Sequence, residues 1–286
     1  MDRRFKLALL QTNSGRDIEP NVKAVLAMMR DAKAKGAHFV TMPEVVQMIE
    51  PKRDQARAKV TTEEASSALA AFRAAAAELG LWVLVGSLQI KLAEERMANR
   101  SFLLDPAGHI VARYDKIHMF DVDLGDGQRY RESAAYQAGE RAVMAELPWG
   151  RLGLTVCYDL RFPQLYRALA QAGAEFLTVP SAFTRVTGEA HWHVLLRARA
   201  IETGCFVVAP AQTGVHAEGR ETFGHSLVVG PWGDILADAG TETGVTVVDI
   251  DPAHVAEARR KVPSLTHDRP FAPAELVNPA FRAAGE

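Results

Sequence analysis

The sequence is poor in cysteine, in net charge and in long apolar runs, and each shortage excludes a class of protein. Of 286 residues only Cys157 and Cys205 are cysteines, too few for the disulfide framework of a small secreted domain. The 33 basic and 35 acidic residues nearly cancel, so no net field attracts nucleic acid or an anionic membrane. No apolar run approaches the roughly 20 residues of a membrane span, and the N-terminal segment lacks a signal peptide's apolar region. We therefore expect a cytoplasmic protein with no membrane or nucleic-acid partner.

Strand and helix patterns alternate along the chain, and the second half repeats the order of elements of the first. The predicted strands are 5–12, 37–44, 81–90, two within 99–116, 151–159, 174–183, 205–213, two within 223–240, and 244–251; the predicted helices are 21–36, 61–80, 162–173 and 190–204. A capping box of Thr61 and Glu64 is predicted to start the second helix. This order predicts an α/β protein with mixed sheets in one domain over residues 1–270, followed by a C-terminal tail over 271–286.

Cys157 ends the apolar run RLGLTVCYD and stands just before a predicted helix, a position with two interpretations. Free cysteine is among the most frequently buried residue types, so a packing role is the default. The carboxyl end of a strand that leads into a helix is also where open α/β sheets bind ligands. The N–H groups of the next helical turn there favour a thiolate. Cys205, within CFVVA, has no polar sequence neighbours and is predicted to be core.

Two other reactive residue types occupy the same kind of position as Cys157. Glu44 ends FVTMPE and Lys116 ends HIVARYDK, so both follow an apolar strand. Either residue alone indicates only a chain returning to solvent, but three reactive types at equivalent strand ends indicate a site. The histidines offer no comparable partner for the thiol, since only His118 has a polar context. His191 and His193 are two positions apart on a helix and point away from each other, so we expect no metal.

Three segments resemble the signature segments of the nitrilase superfamily of carbon–nitrogen hydrolases: MPE (42–44), YDKIHMFDVD (114–123) and CYDLRFPQL (157–165). The stretches 190–214 and 224–240 are similar to its Nit branch. The resemblance extends from the first strand to Arg269, nearly the whole chain. It implies the family's fold, a four-layer α-β-β-α sandwich with two mixed β-sheets between layers of helices.

The resemblance also implies roles for individual residues. Glu44 would be the general base, Lys116 the cationic stabiliser and Cys157 the nucleophile. Glu132 falls where the family has a second glutamate that orients the lysine, although a solvated loop carboxylate is an equal alternative. The implied reaction is hydrolysis of a small carboxylic-acid amide to acid and ammonia through a cysteine thioester, with no metal or organic cofactor. A glutamate base requires either a pKa raised by a dry pocket or strong coupling within the Glu-Lys-Cys group.

Four residues are candidates for binding the substrate. The backbone N–H of Tyr158, next to the nucleophile, is expected to face the oxyanion. Arg161, one helical turn further on, has two interpretations of equal weight. It either holds a substrate carboxylate or pairs with Asp159. Phe183 and Thr184, at the end of a predicted strand, are expected to form pocket walls.

Within the Nit branch, the stretches 167–183 and 194–214 are most similar to deaminated-glutathione amidases, which repair a side product of transaminases acting on glutathione. The ω-amidases, which act on 2-oxoglutaramate-type substrates, are the alternative, followed by nitrilases and by a non-catalytic scaffold. The resemblance therefore implies a small-molecule amide as substrate. It also implies a homo-oligomer, either a dimer or a tetramer.

Overall fold

The computed structural model describes residues 3–93, 96–125 and 129–274, which form sixteen β-strands and six α-helices. The strands are β1 (Phe5–Gln11), β2 (Phe39–Thr41), β3 (Trp82–Ala93), β4 (Arg96–Leu104), β5 (Ile110–Asp115), β6 (Asp121–Asp123), β7 (Arg129–Arg131), β8 (Val143–Leu147), β9 (Gly150–Leu154), β10 (Phe176–Thr178), β11 (Phe206–Ala209), β12 (Thr213–Val215), β13 (Glu221–Phe223), β14 (Leu227–Val229), β15 (Ile235–Asp238) and β16 (Gly244–Ile250). The helices are α1 (Ile18–Ala34), α2 (Arg53–Lys59), α3 (Ser67–Leu79), α4 (Pro163–Gln171), α5 (Arg185–Thr203) and α6 (Ala253–Lys261). Within these ranges no helix combines the length and the apolar character needed to cross a bilayer. Residues 275–286 of the predicted tail lie outside the described residues.

Twelve strands form two six-stranded mixed sheets with the same internal order. The first sheet runs β16-β1-β2-β3-β4-β5 and the second β8-β9-β10-β11-β14-β15. In each sheet three parallel strands are flanked by antiparallel ones, as the repeated order of elements in the sequence predicts. Strand β8 follows the first half of the chain but pairs with β9, and β16 ends the second half but pairs with β1. Each half thus contributes its last strand to the other half's sheet, which ties the two halves together.

The two sheets pack face to face, with helices on both outer sides, and this is the α-β-β-α sandwich that the family resemblance predicts. The side chains of β1 show the alternation of layers. Phe5 and Leu9 join the core between the sheets, where the rings of Phe5 and Phe176 meet edge to face at 5.6 Å. Ala8 and Leu10 face the core formed with α1 and α3. Helices α4 and α5 cover the second sheet. Each large apolar side chain buried in these layers contributes roughly 1.5–3 kcal/mol.

Helix α3 begins six residues later than predicted, and the capping box assigned to Thr61 and Glu64 is wrong. Its N-cap is Ser66, whose Oγ accepts a hydrogen bond from Leu69 N at 3.3 Å. The backbone oxygen of Thr61 instead accepts a hydrogen bond from Lys91 N at 2.9 Å, which holds this segment against β3. Contact with the sheet therefore prevails over the local capping signal. Helix α2, which precedes this segment, has no counterpart among the predicted helices.

Candidate active site

Three loops, each following a strand, bring a carboxylate, an ammonium and a thiol together. Glu44 lies three residues beyond β2 and Lys116 directly follows β5, both in the first sheet, whereas Cys157 lies three residues beyond β9 in the second. Lys116 Nζ donates a hydrogen bond to Glu44 Oε1 at 2.9 Å. The Cys157 thiol lies beside the Glu44 carboxylate, whose negative charge acts on the pKa of the thiol. All three side chains are buried, with exposed fractions for the residues of 5%, 2% and 7% respectively.

Glu132 binds the same ammonium from the other side. Its Oε1 and Oε2 accept hydrogen bonds from Lys116 Nζ at 3.0 and 2.8 Å, and Oε2 also accepts one from Phe120 N at 2.6 Å. Only 12% of the side chain is exposed, so the alternative of a solvated loop carboxylate is wrong. One lysine therefore lies between two carboxylates. With a neutral thiol the cluster carries a net charge of −1.

The electrostatics of the cluster keep the thiol protonated and its two neighbours charged. Burial raises the pKa of the Cys157 thiol far above its ordinary value, and the adjacent charge of Glu44 raises it further. Burial also acts to raise the pKa of Glu44, but the charge and hydrogen bond of Lys116 outweigh it, so this pKa is lowered. For Lys116, burial acts to lower the pKa, but the charges of Glu132 and Glu44 raise it well above its ordinary value.

The resting cluster is thus a thiol beside a carboxylate. The position of Cys157 before a helical turn suggested a thiolate, but the structure favours the neutral thiol. Burial and a neighbouring negative charge outweigh the turn's N–H groups. A glutamate base was expected to need either a raised pKa or strong coupling to Lys116 and Cys157. The pKa of Glu44 is lowered, so the second condition is the one that applies. Glu44 is ionised and lies beside the thiol whose proton it would accept.

The turn that carries Cys157 is strained and tightly held. Cys157 has φ = +49°, a left-handed backbone conformation that is uncommon outside glycine and costs on the order of 1–3 kcal/mol. The fully buried carboxylate of Asp159 braces the turn. It accepts hydrogen bonds from Val156 N at 2.8 Å, Tyr114 Oη at 2.7 Å and His118 N at 3.0 Å. This one carboxylate therefore joins the turn to β5 and to the loop that follows Lys116.

Replacing Asp159 by asparagine is expected to lower both stability and kcat. The neutral amide weakens several hydrogen bonds to a buried carboxylate, so we expect a loss of about 1–3 kcal/mol in the free energy of unfolding. Because the thiol is then less well positioned, kcat should fall about tenfold or more while KM changes little. Urea unfolding and steady-state kinetics measure both quantities. The same substitution at the exposed Asp249 is the control and should change neither; equal effects at the two positions would contradict the bracing role.

Asn99 is a part of the cluster that the sequence did not reveal. Its Nδ2 donates hydrogen bonds to Glu44 Oε1 at 2.9 Å and to Glu132 Oε1 at 3.1 Å, so it holds the two carboxylates in place. Its backbone oxygen accepts a hydrogen bond from Lys116 N at 3.0 Å, since β4 pairs with β5. A polar asparagine in the strand segment MANRSFLL, beside Arg100 and Ser101, was the available signal. Its significance depends on strand register, which no local motif specifies.

A cavity of about 410 Å³ opens over the cluster. Tyr158, Phe183 and Thr184, which were expected near the substrate, all line it. Four arginines also contribute to its wall: Arg53, Arg129, Arg131 and Arg220. A cavity with an amide-cleaving cluster and several cations suits a small substrate that carries negative charge.

Arg161 is not among the residues that line the cavity. Its guanidinium lies over the rings of Phe183 and Tyr158, 5.5 and 5.9 Å from their centroids, and Nη2 is 3.3 Å from His191 Nδ1. The expected pair with Asp159 does not form in the described residues, since that carboxylate takes its partners from elsewhere. Arg161 therefore packs behind two cavity walls.

An α-β-β-α sandwich with a buried thiol beside a carboxylate and an ammonium is an architecture suited to hydrolysis through a covalent intermediate. Residues 6–260 match the family model described as carbon-nitrogen hydrolase. The chain belongs to the carbon–nitrogen hydrolase family and is a hydrolase of amide C–N bonds. The nitrilase-superfamily resemblance of its three signature segments is thereby confirmed.

Individual relatives agree with this assignment. A deaminated glutathione amidase from Synechocystis is 40% identical over 270 residues, 92% of this chain and 97% of the relative. The crystal structure of the C. elegans NitFhit protein has a TM-score of 0.86 at 36% identity and covers 93% of this chain, which spans only 65% of that longer protein. A glutamate-to-glutamine mutant of a Nesterenkonia amidase has a TM-score of 0.76 at 28% identity, covering 91% of this chain and 98% of its own. That structure shows acrylamide added at the active-site cysteine.

Proposed function

We propose that this hydrolase acts through a thioester on Cys157, with Glu44 as general base and Lys116 as the stabiliser of negative charge. Glu132 holds the lysine in position. The observation that carries the proposal is that a buried thiol, carboxylate and ammonium line the wall of one cavity, with the carboxylate and ammonium hydrogen-bonded to each other. The active-site cysteine of the Nesterenkonia amidase supports it.

In the first half of the reaction, Glu44 takes the thiol proton as the sulfur of Cys157 attacks the amide carbonyl. The negative charge of the carboxylate thereby moves to the carbonyl oxygen, and the total charge of the cluster is unchanged. Protonation of Glu44 weakens its bond to Lys116, so the ammonium becomes available to the oxyanion as that charge develops. The N–H of Tyr158, which donates to none of the described residues, is a second donor. Each such donor contributes on the order of 3 kcal/mol.

The second half releases the acid. Protonated Glu44 gives its proton to the leaving nitrogen as the C–N bond breaks, which leaves an acyl group on Cys157 and restores the carboxylate. The same carboxylate then takes a proton from water, whose oxygen attacks the thioester, and returns it to the departing sulfur.

Both cysteines of the described chain are free thiols, which suits the reducing cytoplasm that we propose as the compartment.

We propose deaminated glutathione as the substrate, as the name of the Synechocystis relative suggests. This compound is a 2-oxo acid joined by an amide bond to a dipeptide, and it contains no primary amide. Its hydrolysis therefore releases an amine, so the ammonia expected from the sequence applies only to primary amides. The alternative substrate, 2-oxoglutaramate, is such an amide. Measuring amine and ammonia separately distinguishes the two activities.

Both substrates carry a carboxylate, and we infer that Arg220 in the cavity wall binds it. Arg220 Nη2 donates a hydrogen bond to Ala182 O at 3.2 Å, and the nitrogen of the same residue donates one to Glu44 Oε2 at 2.8 Å. Because one residue spans about 3.6 Å, the guanidinium lies within about 10 Å of the base. It stacks on Tyr130 at 5.8 Å, and its buried Nε has no hydrogen-bond partner among the described residues.

Replacing Arg220 by leucine should raise KM for deaminated glutathione roughly tenfold to a hundredfold, because a charge-assisted hydrogen bond is lost. A neutral amide such as propionamide should be hydrolysed as by the parent enzyme. Initial rates of 2-oxo-acid and amine release provide the measurement.

Arg161→Leu is the matched control, since Arg161 stands outside the cavity lining, and its KM should stay within about threefold. A rise in KM for Arg161→Leu alone would transfer the carboxylate-binding role to that residue. Hydrolysis of deaminated glutathione by Cys157→Ala at the parent rate would overturn the proposed mechanism, whichever arginine binds the substrate.

We also propose that the chain forms a homo-oligomer through α5. Val186, Val194 and Ile201 on this helix are 54%, 69% and 55% exposed. The turn that contains the exposed Trp232 extends the surface, since a Cβ at Gly233 would lie 2.6 Å from Ile201 Cδ1. An apolar patch of this kind commonly marks a protein interface.

Val194→Glu is expected to shift the molar mass measured by light scattering from oligomer toward monomer, because it places a charge in the interface. Val111→Glu, on β5 and 45% exposed in the parent protein, is the control and should leave the mass unchanged. A monomeric parent protein, or a Val194→Glu variant of unchanged mass, would contradict this interface.

A further inference from the structure

His193, His225 and Asp238 bring three metal-ligating side chains together outside the cavity. His193 Nε2 lies 3.0 Å from Asp238 Oδ2, and His225 Nδ1 lies 2.9 Å from Asp238 Oδ1. The candidate ligand atoms of all three residues lie within 4.8 Å of one another. His193 comes from α5, His225 from the loop before β14, and Asp238 from the end of β15. The partners of His193 are therefore remote in sequence, and its neighbour His191 takes no part.

We propose that these three side chains bind one divalent transition-metal ion of the Zn²⁺ type, with water as the fourth ligand. Zinc sites that keep an open position use three protein ligands, at about 2.0–2.2 Å for nitrogen and oxygen, which places neighbouring ligand atoms about 3.3 Å apart. The nitrogen–oxygen separations of 2.9 to 3.2 Å are close to that spacing. Binding of the ion would draw the three ligand atoms, which lie within 4.8 Å of one another, to that spacing. Imidazole ligands favour Zn²⁺, Co²⁺ or Ni²⁺ over Mg²⁺ and Ca²⁺.

The backbone around His225 holds its ring in place before any ion binds. His225 has φ = +54°, a left-handed conformation for a non-glycine residue. Its N donates a hydrogen bond to Gly240 O at 2.7 Å, and its O accepts one from Trp192 Nε1 at 2.8 Å. The ring of Phe223 stacks on its imidazole at 4.4 Å. Strain of this kind persists only where surrounding contacts fix it, and it is common at ligand-binding positions.

The third ligand, Asp238, has a supporting partner. The N–H of Gly240 binds Oδ1 at 2.9 Å, the type of outer contact that orients a metal-ligating carboxylate. An ion here would replace the two imidazole N–H donors that now face this carboxylate, and each ring would carry its proton on its other nitrogen.

Such an ion would link α5 to β15 and to the loop between β13 and β14. The link extends to the cavity wall, because Phe223 N donates a hydrogen bond to Phe183 O at 3.0 Å. The expected role is structural. The ion should stabilise the wall against local opening without entering the reaction.

Titration with Co²⁺, followed by visible absorption, tests the proposal in the full chain. The parent for this experiment carries Cys157→Ala, so that the catalytic thiol does not bind the metal. We expect one Co²⁺ per chain with the strong visible bands of a tetrahedral site and no sulfur-to-metal charge transfer, displaced by Zn²⁺. His193→Ala and Asp238→Asn should each raise the dissociation constant at least tenfold, whereas His191→Ala should leave it unchanged.

A second measurement is independent of the spectrum. Excess Zn²⁺ should raise the melting temperature of the parent and of His191→Ala, but not that of His193→Ala or Asp238→Asn. Circular dichroism of each variant without metal establishes that it is folded. Failure of the parent to bind Co²⁺ in a saturable way would overturn the proposal, leaving a hydrogen-bonded His-Asp-His cluster only. Equal weakening by His191→Ala and His193→Ala would overturn it as well.

Discussion

Glu44→Gln is expected to lower kcat by about 10²–10⁴-fold, because the substitution removes the group that accepts and returns protons in both halves of the reaction. The thiol should nevertheless remain open to alkylation. The charge of Glu44 raises the pKa of Cys157, so its removal should shift the pH profile of alkylation to lower pH. Steady-state kinetics and iodoacetamide labelling, both followed against pH, measure the two effects.

The pH dependence of the rate also distinguishes the parent enzyme from Glu44→Gln. Because the pKa of Glu44 is lowered, the parent's rate should hold through the neutral range and fall only as the pH drops below about 4.5, the ordinary value for glutamate. Glu44→Gln should lack this acid limb. Glu50→Gln changes another glutamate of the cavity, one bound to Lys59, and as a control it should change kcat by no more than a few-fold. An unchanged kcat in Glu44→Gln would contradict its role as the base.

Lys116→Met is expected to impair both activity and folding. Loss of the ammonium removes a stabiliser of the oxyanion, which corresponds to a fall in kcat of about 10²–10³-fold. It also leaves Glu44 and Glu132 buried without their shared cation, and breaking such a pair costs about 3–5 kcal/mol. This deficit in the free energy of unfolding should shrink at acid pH, where the carboxylates take up protons. Urea unfolding at several pH values measures it.

The double variant Lys116→Met/Glu132→Gln separates the two effects. Removing one of the two carboxylates should restore much of the stability but none of the activity. Lys35→Met, which breaks an exposed pair with Asp31, is the control and should cost about 1 kcal/mol or less. A Lys116→Met protein as stable as the parent, or an active double variant, would contradict the arrangement of charges described above.

Much of the fold could be predicted from the sequence because its signals are local. Apolar periodicity predicted eleven of the twelve strands in the two sheets and missed β8, and the repeated order of elements reflects the matching order of strands in each sheet. The exchange of β8 and β16 could not be predicted, since a strand's own pattern does not specify which sheet it joins. The predicted start of α3 was wrong for a similar reason. A contact between Thr61 and β3 outweighs the local capping signal.

The residues of the candidate site also differ in whether a local sequence signal identifies them. Glu44, Lys116 and Cys157 were found because each reactive residue follows an apolar strand, and the family resemblance related them to one another. Asn99 and Arg220 were missed. The first depends on the register of β4 against β5, and the second on a loop that folds back over the cavity. Both depend on tertiary contacts between residues remote in sequence.

The measurement that tests the central claim most directly is mass spectrometry of the enzyme quenched in acid during turnover of deaminated glutathione. The proposed mechanism predicts an acyl group on the peptide that contains Cys157, removable by hydroxylamine and absent from Cys157→Ala. An acyl group on another residue, or full turnover by Cys157→Ala, would contradict it.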